Sequence, residues 1–186
     1  MAGGRFYLPG SRLSICALWY DIDYPDMIEL RKRLYPDRQN YTMISSSVTD
    51  LKWLDVIPSD RPVLVVAEGL VMYLAEDAAL ALFKRITEKF PAGEFVFDAY
   101  SRLMTRLISL IPAVRASGIT LAWSIGDPLE LEKQVPDLKL IDSVSFLTMP
   151  ELVDRLSESR LQRVMSGILG RLGFYRRLIR HLRYRF

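Results

Sequence analysis

A chain of 186 residues, half of them hydrophobic and carrying 3 Trp, 9 Tyr and 8 Phe, is long enough for one well-buried domain and short for two. The longest apolar stretch, Val63 to Ala75, is broken by Glu68, which excludes a membrane-spanning helix there. No leader is expected either, because residues 1–10 lack an apolar core and Arg5 is their sole basic residue. With one cysteine, Cys16, and one histidine, His181, an internal disulfide and a Cys/His zinc site are excluded, and a Ser-His-Asp triad fits poorly. A cytoplasmic chain with no metal, no membrane and no nucleic-acid partner is the expectation.

The net charge of +3 is uneven. Eight arginines and no acid follow Glu158, so subtracting those eight leaves residues 1–158 at a net −5. An anionic partner is one reading of this tail. A solvated helix face followed by an edge strand with outward arginines is the preferred one.

In chain order, "ICALWYDID" (15–23) reads as a strand. "PDMIELRKRL" reads as a helix with Pro25 in its first turn and Met27, Ile28, Leu30 and Leu34 near one face. "YTMISSSV" is a second strand, and "TDLKWLDVI" turns into a short helix. The unbroken run Val63 to Ala67 has the pattern of a strand buried on both faces. "AEDAALALFKRITEKF" is a helix whose acids Glu76 and Asp77 open it and whose Lys89 closes it, complementing its dipole. "EFVFDAY" is a strand, and a helix from Arg102 to Leu110 stops before Pro112. Helical segments are expected near 127–134 and 150–170, and "LKLIDSVSFL" and "IRHLRYRF" are the last two strands. Leu182, Tyr184 and Phe186 share one face of the final strand and Arg183 and Arg185 the other. Such alternation predicts an α/β domain, a mainly parallel sheet covered by helices, spanning residues 1–186.

Ligands of such sheets sit beyond the carboxyl ends of the strands. Asp23, at a strand end just before a helix, can hold the vicinal hydroxyls of a ribose or simply cap the Pro25 helix. Asp21 is expected to turn towards the opposite face. Glu68 ends the apolar strand, with Gly69 permitting a close backbone turn and Tyr73 following as a wall residue.

"WYDIDYPDMIELRKRL", "ISSSVTDLKWLD", "RPVLVVAEGLVMYL" and "FVFDAYS", in that order and spacing, resemble the leucine carboxyl methyltransferase family. They are most similar to its bacterial small-molecule branch, the tetracenomycin-type polyketide O-methyltransferases. The resemblance implies S-adenosylmethionine as cofactor, a small-molecule acceptor, and a Rossmann-like class I methyltransferase sheet with an antiparallel last strand. It implies Asp23 at the cofactor ribose, Ser47 and Val48 beside the adenine, Glu68 and Gly69 at the cofactor, and Tyr73 near the acceptor. Asp-Leu is usual in the family's protein-methylating members where Ser47 and Val48 stand. Tyr73 and Asp98 are the candidate bases should the acceptor be a hydroxyl rather than a carboxylate.

The family's first strand and its G-x-G-x-D-[ST]-R loop have no counterpart here; "GGRFYLPG" resembles the sequence just beyond them. The family order 3-2-1-4-5-7-6 would then lack its middle strand. The expectation is a fragment that binds the cofactor weakly or not at all, the alternative being a non-catalytic remnant or interaction module.

Overall fold

Alternating apolar runs and amphipathic stretches fold into parallel strands linked by helices, and the computed structural model describes residues 17–149 and 168–186. Contacts divide the chain into two units, Met1–Asp60 and Arg61–Phe186.

In the first unit, β1 (Trp19–Asp23) pairs in parallel with β2 (Tyr41–Ser45), Asp23 standing opposite Ser45. The crossover helix α1 (Pro25–Leu34) starts at proline as the sequence predicts, because a residue with fixed φ and no N–H suits a first turn. Of its four apolar residues only Ile28 is buried, while Leu30 and Leu34 are exposed. A short 3-10 helix, Leu51–Val56, is capped by the Asp50 carboxylate and buries Trp53 and Leu54.

In the second unit, β3 (Val63–Ala67), β4 (Gly93–Tyr100), β5 (Lys139–Ser145) and β6 (Ile179–Arg185) form one sheet in the order β3-β4-β6-β5. β3 and β4 are parallel, and β6 runs antiparallel between β4 and β5. Helix α2 (Glu76–Lys89) lays Ala79, Leu82, Phe83 and Ile86 on the sheet. Phe83 meets Phe95 edge-on at 5.0 Å and Phe97 face-on at 5.3 Å, and Tyr184 stacks on Phe97 at 5.7 Å. The Tyr184 hydroxyl donates to the Pro128 carbonyl, and burial pushes its pKa well up. Helices α3 (Arg102–Ser109), α4 (Pro112–Ser117) and α5 (Pro128–Gln134) follow β4, and a single helical turn, Gly173–Arg176, precedes β6. A Cβ on Gly93 would meet the Val63 carbonyl and the Phe186 ring at 2.6 Å, so only glycine lets β3 and residue 186 close on β4 here.

The mainly parallel sheet and antiparallel last strand are as expected, and so is the strand order. Taking the first strand out of 3-2-1-4-5-7-6 leaves 3-2 and 4-5-7-6, and the two observed sheets, β2-β1 and β3-β4-β6-β5, follow these strand for strand.

Two expectations are corrected. The run at 63–67 is not buried on both faces: Leu64 is 61% and Val66 48% exposed, because β3 is an edge strand and the face carrying them is uncovered. The final strand is not an edge. β6 is flanked on both sides, so its arginines find partners within the sheet: Arg183 and Arg185 both grip Glu94 of β4, which stands opposite Arg185, and Arg180 is buried. The helix expected at 150–170 lies, but for its last three residues, outside the described residues, as do residues 15–16 of the first strand.

Candidate functional site

In the first unit, the chemistry gathers at the carboxyl end of β1. Asp23 is not the helix cap: the capping position belongs to Tyr24, which makes no side-chain cap bond, and Asp23 Oδ1 accepts the Tyr24 N–H at 2.9 Å. The other oxygen, Oδ2, accepts Arg31 Nη2 at 3.1 Å. Asp21 is corrected to the same side as Asp23, since residues two apart on a strand share a face. Its Oδ2 accepts Arg31 Nη1 at 2.7 Å and also the Tyr41 hydroxyl of β2. One guanidinium thus ties two carboxylates together, a geometry that lysine's single ammonium does not reproduce. Burial works against the Arg31 charge, but Asp21 and then Asp23 outweigh it and raise its pKa. The Tyr41 phenol is pushed up to about 12 by burial and by the hydrogen bond and charge of Asp21.

Just past the end of β2, Ser46 N–H donates to the Asp23 carbonyl at 3.0 Å, which extends the ladder and brings Ser47 and Val48 after it. Ser47 Oγ bonds Thr49 Oγ1 at 2.8 Å, and the Val48 carbonyl accepts the Trp53 indole N–H at 3.0 Å. Both residues are half-buried.

In the second unit, Glu68 and Gly69 form the exposed turn that leaves β3. Gly69 has φ of 64°, a left-handed conformation that costs any residue with a Cβ, while nothing lies within 4 Å of where that Cβ would stand. Its N–H donates to Asp98 Oδ1 at 2.7 Å. Asp98, on β4, is 7% exposed, whereas Tyr73, in the 3-10 turn Val71–Tyr73, is 47% exposed. The loop 122–125 is tied on both sides, with Ala122 and Trp123 N–H donating to the Met72 carbonyl and Ile125 N–H to the Tyr100 carbonyl. Burial, followed by the nearby Asp98 and Tyr73, raises the Tyr100 pKa, so these three side chains share one neighbourhood.

The sequence reading missed Arg31, Tyr41, Tyr100 and Arg180. For Arg31 the signal was three basic residues closing a helix that starts beside two acids; which of them reaches back depends on helical phase. Arg180, whose pKa burial lowers, donates through Nη2 to the Ile125 and Gly126 carbonyls at 3.0 and 2.8 Å. Nothing local marks it among the eight arginines of the tail. Among the described residues, no group of three or more Asp, Glu, His or Cys is arranged to hold a metal, and no helix is long and apolar enough to cross a membrane.

No family model matches the chain. It is 40% identical over 163 residues to the tetracenomycin polyketide synthesis O-methyltransferase TcmP of Streptomyces glaucescens, an alignment covering 88% of this chain and 60% of that protein. It is 38% identical over 134 residues to the S-adenosyl-L-methionine-dependent methyltransferase dpfgK of Gibberella zeae, covering 66% of this chain and 45% of that one. The chain therefore spans about half of each curated relative's length. Among solved structures, an S-adenosylmethionine-dependent methyltransferase from Mesorhizobium loti superposes with a TM-score of 0.63 at 14% identity, covering 91% of this chain and 81% of that one. A DUF574 family protein from Streptomyces avermitilis superposes with 0.59 at 12% identity, covering 89% and 64%. The fold is the Rossmann-like α/β fold of these methyltransferases.

Proposed function

We propose that the chain acts in S-adenosylmethionine-dependent O-methylation of a small-molecule carboxylate or hydroxyl, of the polyketide type and within the leucine carboxyl methyltransferase family it resembles. The observation that carries this is the 40% identity over 163 residues to a polyketide O-methyltransferase. The strand order supports it.

The residues present fit the cofactor. Asp23 stands half-buried at a strand end with each oxygen holding one hydrogen bond, which leaves lone pairs on both for a ribose diol. Glu68 is exposed beside a glycine with open space above it. Ser47 and Val48 have their hydroxyl and carbonyl engaged within the chain, so their part is to offer surface to the adenine. When bound, S-adenosylmethionine supplies a methyl group made electrophilic by a positively charged sulfur. The protein's contribution is then orientation and exclusion of water. A carboxylate acceptor requires no base. For a hydroxyl, Tyr73 and Asp98 are the candidates, and of these only Tyr73 is exposed.

Among the described residues β1 pairs only with β2 and β3 only with β4, so within these residues each has an open edge next to its cofactor acid. We accordingly expect affinity weaker than micromolar for the chain by itself. Calorimetric titration with S-adenosylhomocysteine tests the assignment: whatever affinity is measured should fall about tenfold in Asp23→Ala and in Glu68→Ala, about 1.4 kcal/mol each. Equal affinity in all three proteins overturns it. The same open edges favour a second reading, a non-catalytic interaction module. A product 14 mass units heavier than an aromatic acid or phenol incubated with chain and cofactor would exclude that reading.

A further inference from the structure

We propose that Asp98 serves as a positioning residue, whose carboxylate sets the direction of the Glu68–Gly69 peptide and through it the placement of Glu68. This rests on the reading of Glu68 as a cofactor acid.

Glu68 and Gly69 are exposed and lie outside any strand or helix, so no ladder hydrogen bond orients them. Among the described residues, one side chain donates or accepts a hydrogen bond at the turn, 29 positions away: Asp98 Oδ1 takes the Gly69 N–H at 2.7 Å, a distance typical of a charge-assisted bond. A peptide unit is planar and trans, so fixing the N–H of Gly69 also fixes the Glu68 carbonyl in the opposite direction and leaves the Glu68 Cα little freedom. The anchor is itself rigid. Asp98 is 7% exposed on a strand paired on both sides, opposite His181 of β6, and Ala67, the last residue of β3, pairs with its neighbour Phe97. Gly69 completes the device: its left-handed φ of 64° turns the chain so that its N–H meets the carboxylate.

This separates two roles that the position of Asp98 alone allows. A proton acceptor must lose function when its carboxylate becomes an amide. A positioning group keeps it, because the side-chain oxygen of asparagine still accepts the Gly69 N–H. Amide hydrogen exchange at Gly69 reads the positioning contact without cofactor or activity. The turn is exposed, so its protection comes from this bond. We expect exchange to quicken about tenfold or more in Asp98→Ala and to stay within about threefold of wild type in Asp98→Asn, with amides of Val65 and Phe97 unchanged in both as the folding control. Affinity for S-adenosylhomocysteine should follow the same ranking, lost about tenfold in Asp98→Ala and retained in Asp98→Asn. Unchanged Gly69 exchange in Asp98→Ala overturns the proposal, as does loss of affinity in Asp98→Asn equal to that in Asp98→Ala. Absence of cofactor binding in every protein, with the exchange ranking intact, agrees with the weak affinity expected of the chain by itself and supports the Asp98 contact.

Discussion

The acids at the end of β1 and those beside the end of β3 are held by opposite means. Among the described residues, Asp21 and Asp23 are tied by side chains, Arg31 from α1 and Tyr41 from β2, with the backbone contributing only the Tyr24 N–H. Around Glu68 the partner is backbone: a buried carboxylate from the neighbouring strand grips the Gly69 N–H. Side-chain ties depend on charge and are sensitive to pH and salt. A carboxylate on a peptide N–H also gains from charge, but an amide oxygen in the same place still accepts the bond. The two strand ends therefore answer differently to the same kinds of substitution.

The largest effect is expected from Arg31→Ala, which leaves Asp21 and Asp23 as neighbouring like charges. Urea unfolding should show a loss of about 2 kcal/mol, from two hydrogen bonds to charged groups discounted for partial exposure. Arg31→Lys should recover less than half, since one ammonium cannot span both carboxylates. Gly69→Ala should cost about 1 kcal/mol, the strain of a left-handed residue, with nothing added for crowding because the new methyl meets open space. A much larger cost there would mean the turn is held by more than Asp98.

Asp21→Asn should act mainly on titration. Wild-type Tyr41 ionises near 12, and removing the Asp21 charge should lower that value while burial keeps it above 10. Tyrosinate absorbance reads this directly. A phenol pKa raised by folding stabilises the protein fully below the unfolded value of about 10 and loses that contribution as pH climbs towards the folded value. The wild type should therefore lose stability between pH 10 and about 12, and Asp21→Asn should lose less over that window.

The smallest effect belongs to a further acid, Glu94, which sets the scale for exposed pairs. Burial tends to raise its pKa, but the hydrogen bonds and charges of Arg183 and Arg185 prevail and lower it below 4.5. Its stabilisation is present above that ordinary value and lost as pH falls through the lowered one. Glu94→Gln should cost no more than about 0.5 kcal/mol at pH 7, because its partners are exposed.

Sequence periodicity reported element type and order well, because Pro25, the acids opening α2 and the alternation of Leu182 and Tyr184 act locally. It failed wherever the answer depends on a neighbour. The run Leu64–Val65–Val66 looks the same whether or not a strand lies alongside, so its exposed face could not be read. The insertion of β6 between β4 and β5 is a pairing across 91 positions, Glu94 with Arg185, and leaves no local trace. At the candidate site, Asp23 and Glu68 were legible as acids at strand ends. The grip of Arg31 depends on helical phase, and that of Asp98 on the β3–β4 register. Asp21 was within reach of sequence logic, since residues two apart on a strand must share a face.

The central place of β6 also governs the order of assembly. During synthesis β4 emerges first, then β5, and only about 40 residues later the strand that joins them. Until that segment clears the ribosome, Phe95 and Phe97 can pack against Phe83, but β4 and β5 remain unzipped. Closure of this sheet is therefore a late, long-range step, the kind that slows folding and prolongs exposure to chaperones.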